Sequence, residues 1–351
     1  MILRIMVKTY IVFFVFCFIC CSCSFFYQDS YPVYEKKIDL KYESLGCDSL
    51  FFKPLCIEVF DSLLLVCEST KENVFKLLNL NTLQIVSEGG RIGNGPNDLI
   101  CNTILDKIDN KRFQVTDVTN KKILFYDIEE IKNTGQFNPY AYKSYNSIYG
   151  YDSSMFIFYE MKDSVYVGLG MMEGGKYAVY ANDGVTQKGC YPDNSEYGIN
   201  PYLIHQGVLH IDRNRDLLLY HSPMGYYYEL VSYENNQWKT LITDYIPHPF
   251  NVSNGQCLIT QDTPCGINQA ELVQNGVLLL YSGRTMSEYP KTAFYCDKLF
   301  YHTLEGEYKI QYNLERQVSM MAVEELNGRV YVISVNPETY ELELGYFQIK
   351  I

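Results

Sequence analysis

The sequence is poor in the residues on which most catalytic and nucleic-acid-binding machinery depends. Its 351 residues include 1 Trp and 5 His. None of the histidines, His205, His210, His221, His248 and His302, falls in the HExxH pattern that sets two zinc ligands on one helix face. No GxSxG places a serine nucleophile on a strand-to-helix elbow, and no glycine-rich loop ends in GK[ST] to cradle phosphates. Beyond Cys23, the cysteines Cys47, Cys56, Cys67, Cys101, Cys190, Cys257, Cys265 and Cys296 never form CxxC, which removes the common zinc spacings. Cations are also scarce: 29 Lys and Arg against 41 Asp and Glu give a net charge of -12. A chain of that sign repels phosphate backbones, so nucleic acid is not an expected partner. No catalytic residue, metal ligand or cofactor is expected from these patterns.

What the sequence has in abundance is aromatic and apolar material. Hydrophobic residues make up 47% and aromatics 15%, with 33 Tyr. Flat rings pack well on a pleated, half-buried surface, so this composition favours strands over helices. The one stretch with helical character runs from Asp127 to Lys132.

The N-terminus reads as an export signal. Arg4 and Lys8 precede the apolar run Tyr10 to Ile19, long enough for a signal-peptide core and short for a membrane span. The run ends in Cys20-Cys21-Ser22-Cys23, which resembles a bacterial lipobox. Ser22 before Cys23 makes Cys23 the candidate lipidation site, with Cys21 as the alternative. An uncleaved anchor helix is the other reading, since apolar character resumes at Phe25 and Phe26. Residues 1–22 are therefore expected to be the signal peptide and 23–32 a tether. The rest is expected in the cell envelope, lipid-anchored to a membrane outside the cytoplasm, with the outer membrane favoured over the inner. There Cys56 with Cys67, or Cys257 with Cys265, are close enough in sequence to pair, although small buried hydrophobes on strands account for them equally well.

Past the signal one pattern returns: a strand, a turn on Asp, Asn or Gly, and a second apolar strand. The copies are VFDSLLLVCE from Val59, KIDNKRFQVTD from Lys107, EMKDSVYVGLG from Glu160, HIDRNRDLLLYH from His210, LVQNGVLLLYS from Leu272 and ELNGRVYVIS from Glu325. Each reads as a β-hairpin. The turn markers Asp61, Asn110, Asp163, Asn214, Asn275 and Asn327 recur roughly every 50 residues, the mark of a repeat architecture. A second pair of strands follows most copies, and four strands per repeat make a propeller blade. The last repeat ends one strand short, while the strand Val33 to Tyr42 stands alone before the first. The expected fold is therefore an all-β, six-bladed β-propeller over residues 33–351, with four-stranded blades and the N-terminal strand completing the last blade. Such closure leaves no open edges.

With the Cys23 signal, these hairpins and the segment Gly93-Asn94-Gly95-Pro96-Asn97-Asp98 in place, the chain resembles the TolB-like six-bladed propellers carried as lipoproteins by Gram-negative anaerobes. The segment looks like the G-x-G-P-x-acid loop that follows the first blade in that family. The resemblance covers nearly the full length and implies a fold and a location more firmly than an activity.

Candidate sites come from the connections. The loop at Gly93, Gly95 and Pro96 is expected to be structural, the glycines permitting positive φ, Pro96 stiffening the crossing, and Asp98 or Asn97 bonding nearby amides. Asp212-Arg213-Asn214-Arg215-Asp216 begins like a calcium loop, but Leu217 stands where glycine is required, so a turn is expected. Tyr226-Tyr227-Tyr228 and Tyr140-Ala141-Tyr142 could stack on sugars or peptides, although strand packing explains such runs. The segment Ile246 to Ile267 is long for a connection and rich in Pro, Asn and Gly, and loops of that kind are often functional. In blade order it lies on the same face as the Gly93 loop. Arg91, Asp98, Tyr202, His248 and Arg316 are the candidate residues of that face. The expected function is a non-catalytic module binding a protein, peptide or glycan. The competing reading is a calcium-dependent hydrolase or lactonase with a metal in the central channel, its ligands supplied singly from several blades.

Overall fold

Strands in this chain come in hairpins because buried apolar runs alternate with two- to five-residue polar turns, and the turns hold residues that accept unusual backbone angles. Asp61 takes φ 51° between Pro54–Phe60 and Leu63–Glu68, a left-handed conformation that Asp tolerates better than most residues. A computed structural model of the chain describes residues 34–46, 50–69, 73–100, 103–162, 164–172, 175–181, 184–193, 195–234, 237–307 and 309–350. Cys23, the signal, the tether, Cys47, Cys101 and Asp163 lie outside the described residues. The unit described is Tyr34–Ile351.

Its strands form four-stranded antiparallel meanders. The first sheet is Pro54–Phe60, Leu63–Glu68, Asn73–Asn79 and Gln84–Arg91. The second is Thr103–Lys107, Arg112–Asp117, Lys122–Asp127 and Ala141–Ser144. The third is Met155–Glu160, Tyr166–Gly170, Tyr177–Ala181 and Gly184–Lys188, and the fourth Val208–Asp212, Leu217–His221, Tyr226–Glu234 and Gln237–Ile246. An eight-stranded sheet follows, with a leading part (Ile267–Val273, Gly276–Tyr281, Cys296–Thr303) and a trailing part (Arg329–Val335, Leu342–Gln348, Tyr42–Ser44) joined by the long strand Lys309–Glu324. The expected helical stretch is an α-helix at Ile128–Thr134, capped by Asp127, whose side chain accepts from the Glu130 amide.

Burial follows position in the sheet. The second strands Leu63–Glu68 and Leu217–His221 are buried throughout, because sheets pack on both of their faces; this is why they read as unbroken apolar runs rather than alternating ones. The fourth strands are largely exposed, as in Gln237–Ile246. The core is divided into clusters lying between pairs of sheets. Phe60, Leu65 and Phe75 of the first sheet meet Phe113, Leu124 and Tyr126 of the second. Ile123 and Phe125 meet Phe158 and Tyr180 of the third, and Leu169 and Tyr177 meet Tyr220 and Val231 of the fourth. Leu219 and Tyr228 meet Val277 and Leu279; Leu280 and Leu299 meet Val330 and Val332. Finally Tyr331, Ile333 and Leu344 meet Ile57, Leu64 and Val66 of the first sheet.

The N-terminal strand departs from expectation by splitting its partners. Lys36–Leu40 runs parallel to Ile310–Leu314 on the edge of the leading part, and only Tyr42–Ser44 pairs antiparallel with Gly345–Phe347 of the trailing part. Side-chain chemistry explains the division. Ile38 and Leu40 reach the cluster between the two parts, Asp39 accepts from Asn313 Nδ2 at 2.8 Å, and Glu315 takes the Tyr42 amide at 2.9 Å just where the chain turns.

Candidate functional site

The first strand of each sheet carries the polar residues that face inward. Glu58, Asp106, His210 and Glu271 sit three or four residues before the turns of their hairpins, in strands that are otherwise apolar. Together they surround two cavities that share Glu58 and His210. The larger, about 370 Å³, is a mainly apolar chamber at the end where these strands begin. It is walled by Leu55 and Cys56, Ile104 and Leu105, Leu209, Met320 and Phe294. The smaller, about 240 Å³, is a polar belt at the hairpin-turn end, with Asp106, Lys107, Arg213 and Glu271. Pockets of this kind, largely apolar with a few convergent polar groups, are the usual form of a small-ligand site.

The belt is built around Arg213. Its guanidinium donates to Asp106 Oδ2 at 2.5 Å, to the Glu160 carbonyl at 2.6 and 2.9 Å, and to the Lys107 carbonyl at 3.0 Å. It thereby ties the fourth sheet to the second across the third, whose strands line neither cavity. Lys107 Nζ donates to the Val59 carbonyl at 2.6 Å and lies over the Phe60 ring. The carboxyls are held in unfavourable surroundings. Burial raises Asp106, against the pull of Arg213. Burial pushes Glu58 up to about 7, opposed by Lys107 and reinforced by Asp106. Burial and then Glu58 raise Glu271 well above the carboxylate range. These are the desolvation and like-charge causes of a raised carboxyl pKa.

Two histidines stand at the junction, their rings stacked 5.5 Å apart. His221 Nδ1 is 3.0 Å from the Ile267 carbonyl, which can only accept. Nδ1 therefore carries the proton and Nε2 presents a lone pair. Burial lowers His221 to about 3 and His210 to about 4, so both are neutral at pH 7. Neither Nε2 has a hydrogen-bond partner among the described residues.

The residues expected from sequence lie elsewhere. Arg91 is exposed and 3.5 Å from Asp98. Asp98 turns inward on its own loop and accepts the Gly95 amide at 2.9 Å. Tyr202 is a core residue, 7% exposed and stacked on Phe156 at 5.5 Å. His248 packs on Phe250 and bonds the Ile246 carbonyl. Arg316 lies over the Tyr42 ring at 5.3 Å. None of the five lines either cavity. The Gly93 loop is structural, but for another reason than positive φ, which neither Gly93 nor Gly95 adopts. A Cβ on Gly93 would lie 2.4 Å from Asp98 Oδ2, and one on Gly95 2.7 Å. The glycines make room for that carboxylate.

Other expectations resolve as packing. Tyr226, Tyr227 and Tyr228 are buried. Asp212 closes a turn by accepting the Asn214 and Arg215 amides. Cys56 and Cys67 face each other across their hairpin without a disulfide, and Cys257 and Cys265 are not bridged either. Among the described residues no three of His, Cys, Asp or Glu gather closely enough to hold one metal ion, and no helix is long and apolar enough to cross a membrane.

No family model matches the chain, and no curated protein is detectably similar in sequence. Solved structures do match. A protein from Bacteroides fragilis described as exported aligns with a TM-score of 0.54 at 10% identity, covering 90% of this chain and 99% of that one. A DUF4221-family protein from Bacteroides vulgatus aligns with a TM-score of 0.53 at 10% identity, covering 89% and 98%. At these identities the likeness is one of fold: the chain shares an all-β architecture with them.

Proposed function

We propose that Tyr34–Ile351 is a six-bladed propeller of the TolB-like kind, exported and lipid-anchored through Cys23, that acts as a non-catalytic binding module. Support for six blades comes from dividing the long strand Lys309–Glu324 between a fifth and a sixth four-stranded group. Support for a closed ring comes from the core clusters, which link each group to the next and the last to the first. The first strands then line a central channel.

The observation that carries the binding reading is the chamber of about 370 Å³, walled by side chains from four sheets at the end where their first strands begin. A propeller needs no such void for stability; an unfilled apolar cavity costs stability through lost contacts. The face expected from sequence is retained, while the residues that form the site are those of the channel. Leu55, 40% exposed at the chamber wall, offers the test. Leu55→Trp should fill the mouth and abolish the fluorescence gained by the neutral apolar dye N-phenyl-1-naphthylamine on binding the parent, with the melting temperature unchanged. Equal dye binding by the variant would remove the channel as the site.

A further inference from the structure

Resting on the channel as the binding site, we propose that its ligand is an amphipathic organic cation, with an apolar body in the chamber and a primary ammonium or guanidinium group directed at the belt. The argument starts from what is left to bond. The donors around the junction are already used: Asn268 Nδ2 on the Ser319 carbonyl at 2.8 Å, Gln269 Nε2 on the Met321 carbonyl at 2.6 Å and Glu271 Oε1 at 3.1 Å, and Lys107 and Arg213 as described. What remains are acceptors. His221 is only 2% exposed, lines the chamber, and keeps the lone pair of Nε2 without a partner among the described residues. A buried polar atom left unmade costs stability unless something bonds it. A donor-bearing ligand seated in the chamber would do so.

Charge points the same way. Six carboxyls line the belt; Asp109 and Asp212 pair with Arg112 and Arg215, and Glu325 takes the Gln274 amide, which leaves Glu58, Asp106 and Glu271 with Lys107, Arg213 and the neutral His210. Asp106 is committed to Arg213. Glu58 and Glu271 are left to share Lys107, and both hold protons more tightly than ordinary carboxyls do. An ammonium group beside them would favour their ionised form and displace a proton. An anion would meet the carboxyls instead, and a hydrocarbon would leave His221 Nε2 unbonded.

Three matched probes titrated calorimetrically into the full-length protein distinguish the cases: 2-phenylethylamine, 2-phenylethanol and phenylacetate. At pH 7.5 the amine should bind at least about tenfold more tightly than the alcohol, with phenylacetate weakest. Amine affinity should rise several-fold from pH 6 to pH 8 as Glu58 ionises, with proton release visible as a buffer-dependent heat, while the alcohol shows no trend. Glu271→Gln, or Glu58→Gln should the first variant melt early, should erase the preference for the amine, and His221→Phe should weaken it. Alcohol bound as tightly as amine, or phenylacetate bound best, would overturn the cation inference while leaving the channel as the site, provided Leu55→Trp abolishes that binding. Failure of all three probes to bind would overturn both.

Discussion

Two clusters of buried charge in this molecule look alike in composition and differ in completeness. Between the third and fourth sheets, Lys176 is fully buried, with Nζ 2.5 Å from Glu229 Oε2 and 2.8 Å from the Tyr227 hydroxyl. The rings of Tyr220, Tyr227 and Tyr177 lie 3.5, 4.5 and 4.7 Å from the ammonium. Glu229 also accepts from Tyr177 at 2.7 Å and Thr240 at 3.1 Å. The ammonium, the Glu229 carboxylate and the Tyr177 and Tyr227 hydroxyls all have partners, and the cation gains from the ring faces as well. Around Glu58 and Glu271, by contrast, two carboxyls share Lys107, the Nε2 atoms of His210 and His221 have no hydrogen-bond partner among the described residues, and two cavities adjoin them. The first cluster is a finished piece of structure. The second is the cluster at which we propose a cation binds.

The largest test of this contrast is Lys176→Met. Removing one member of a buried, hydrogen-bonded ion pair leaves the other charged and desolvated, which typically costs about 3–5 kcal/mol. Urea unfolding should show a loss of that size, and Lys176→Met/Glu229→Gln should recover part of it by removing the orphaned charge. A loss below about 1 kcal/mol would mean that the pair is not the closed unit described.

The same operation in the belt should have the opposite sign. Glu58 has a folded-state pKa of about 7, above the ordinary carboxyl value of 4.5. The folded state therefore binds more protons than the unfolded state between about pH 4.5 and 7, and stability falls as pH rises through that window. Glu58→Gln removes this loss. The variant should match the parent at pH 4 and exceed it at pH 8 by on the order of 2 kcal/mol. Parallel stability curves across that range would show that Glu58 is not strained in the fold.

Much of the fold is legible in the sequence, and the reason is burial. Where the second strand of a hairpin is covered on both faces it is mostly a continuous apolar run, and LLLVC, LLLY and VLLLY announce it, whereas RFQVTD at Arg112–Asp117 is buried with Gln114, Thr116 and Asp117 in it. The turns are legible because Asp, Asn and Gly accept angles that other residues do not. The site was harder to see because its residues come singly from separate repeats and no local spacing unites them. A signal was present nonetheless: Glu58, Asp106, Glu160, His210 and Glu271 interrupt apolar strands at one repeat position, three or four residues before the marker. Reading down that column, rather than along the loops, leads to the channel. Arg213 was hidden differently, since its turn looked complete from Asp212 alone. The split of the N-terminal strand depends on Asn313 and Glu315, which lie far away in sequence.

The Gly93 loop supplies the smallest effect and the finest version of the comparison, because it too is a finished cluster. Lys122 Nζ donates to the Gly95 and Pro96 carbonyls at 2.8 and 3.2 Å, Asp117 Oδ2 takes the Ile100 amide at 3.0 Å, and Asp98 folds back on Gly95. A methyl group on Gly93 would enter the space of the Asp98 carboxylate. Gly93→Ala should therefore push Asp98 out and forfeit its hydrogen bond, at a cost of about 1–2 kcal/mol. The ion pair to exposed Arg91 adds little to that figure. If displacement of Asp98 is the cause, the two substitutions will not be additive. Asp98→Ala alone should cost about as much, and Gly93→Ala/Asp98→Ala little more than either single change. Additive losses in that cycle would place the strain in the backbone at Gly93, and its smallness would then owe nothing to the carboxylate. In either case the affinity for N-phenyl-1-naphthylamine should stay at the parent value, since no residue of this loop lines either of the two cavities described.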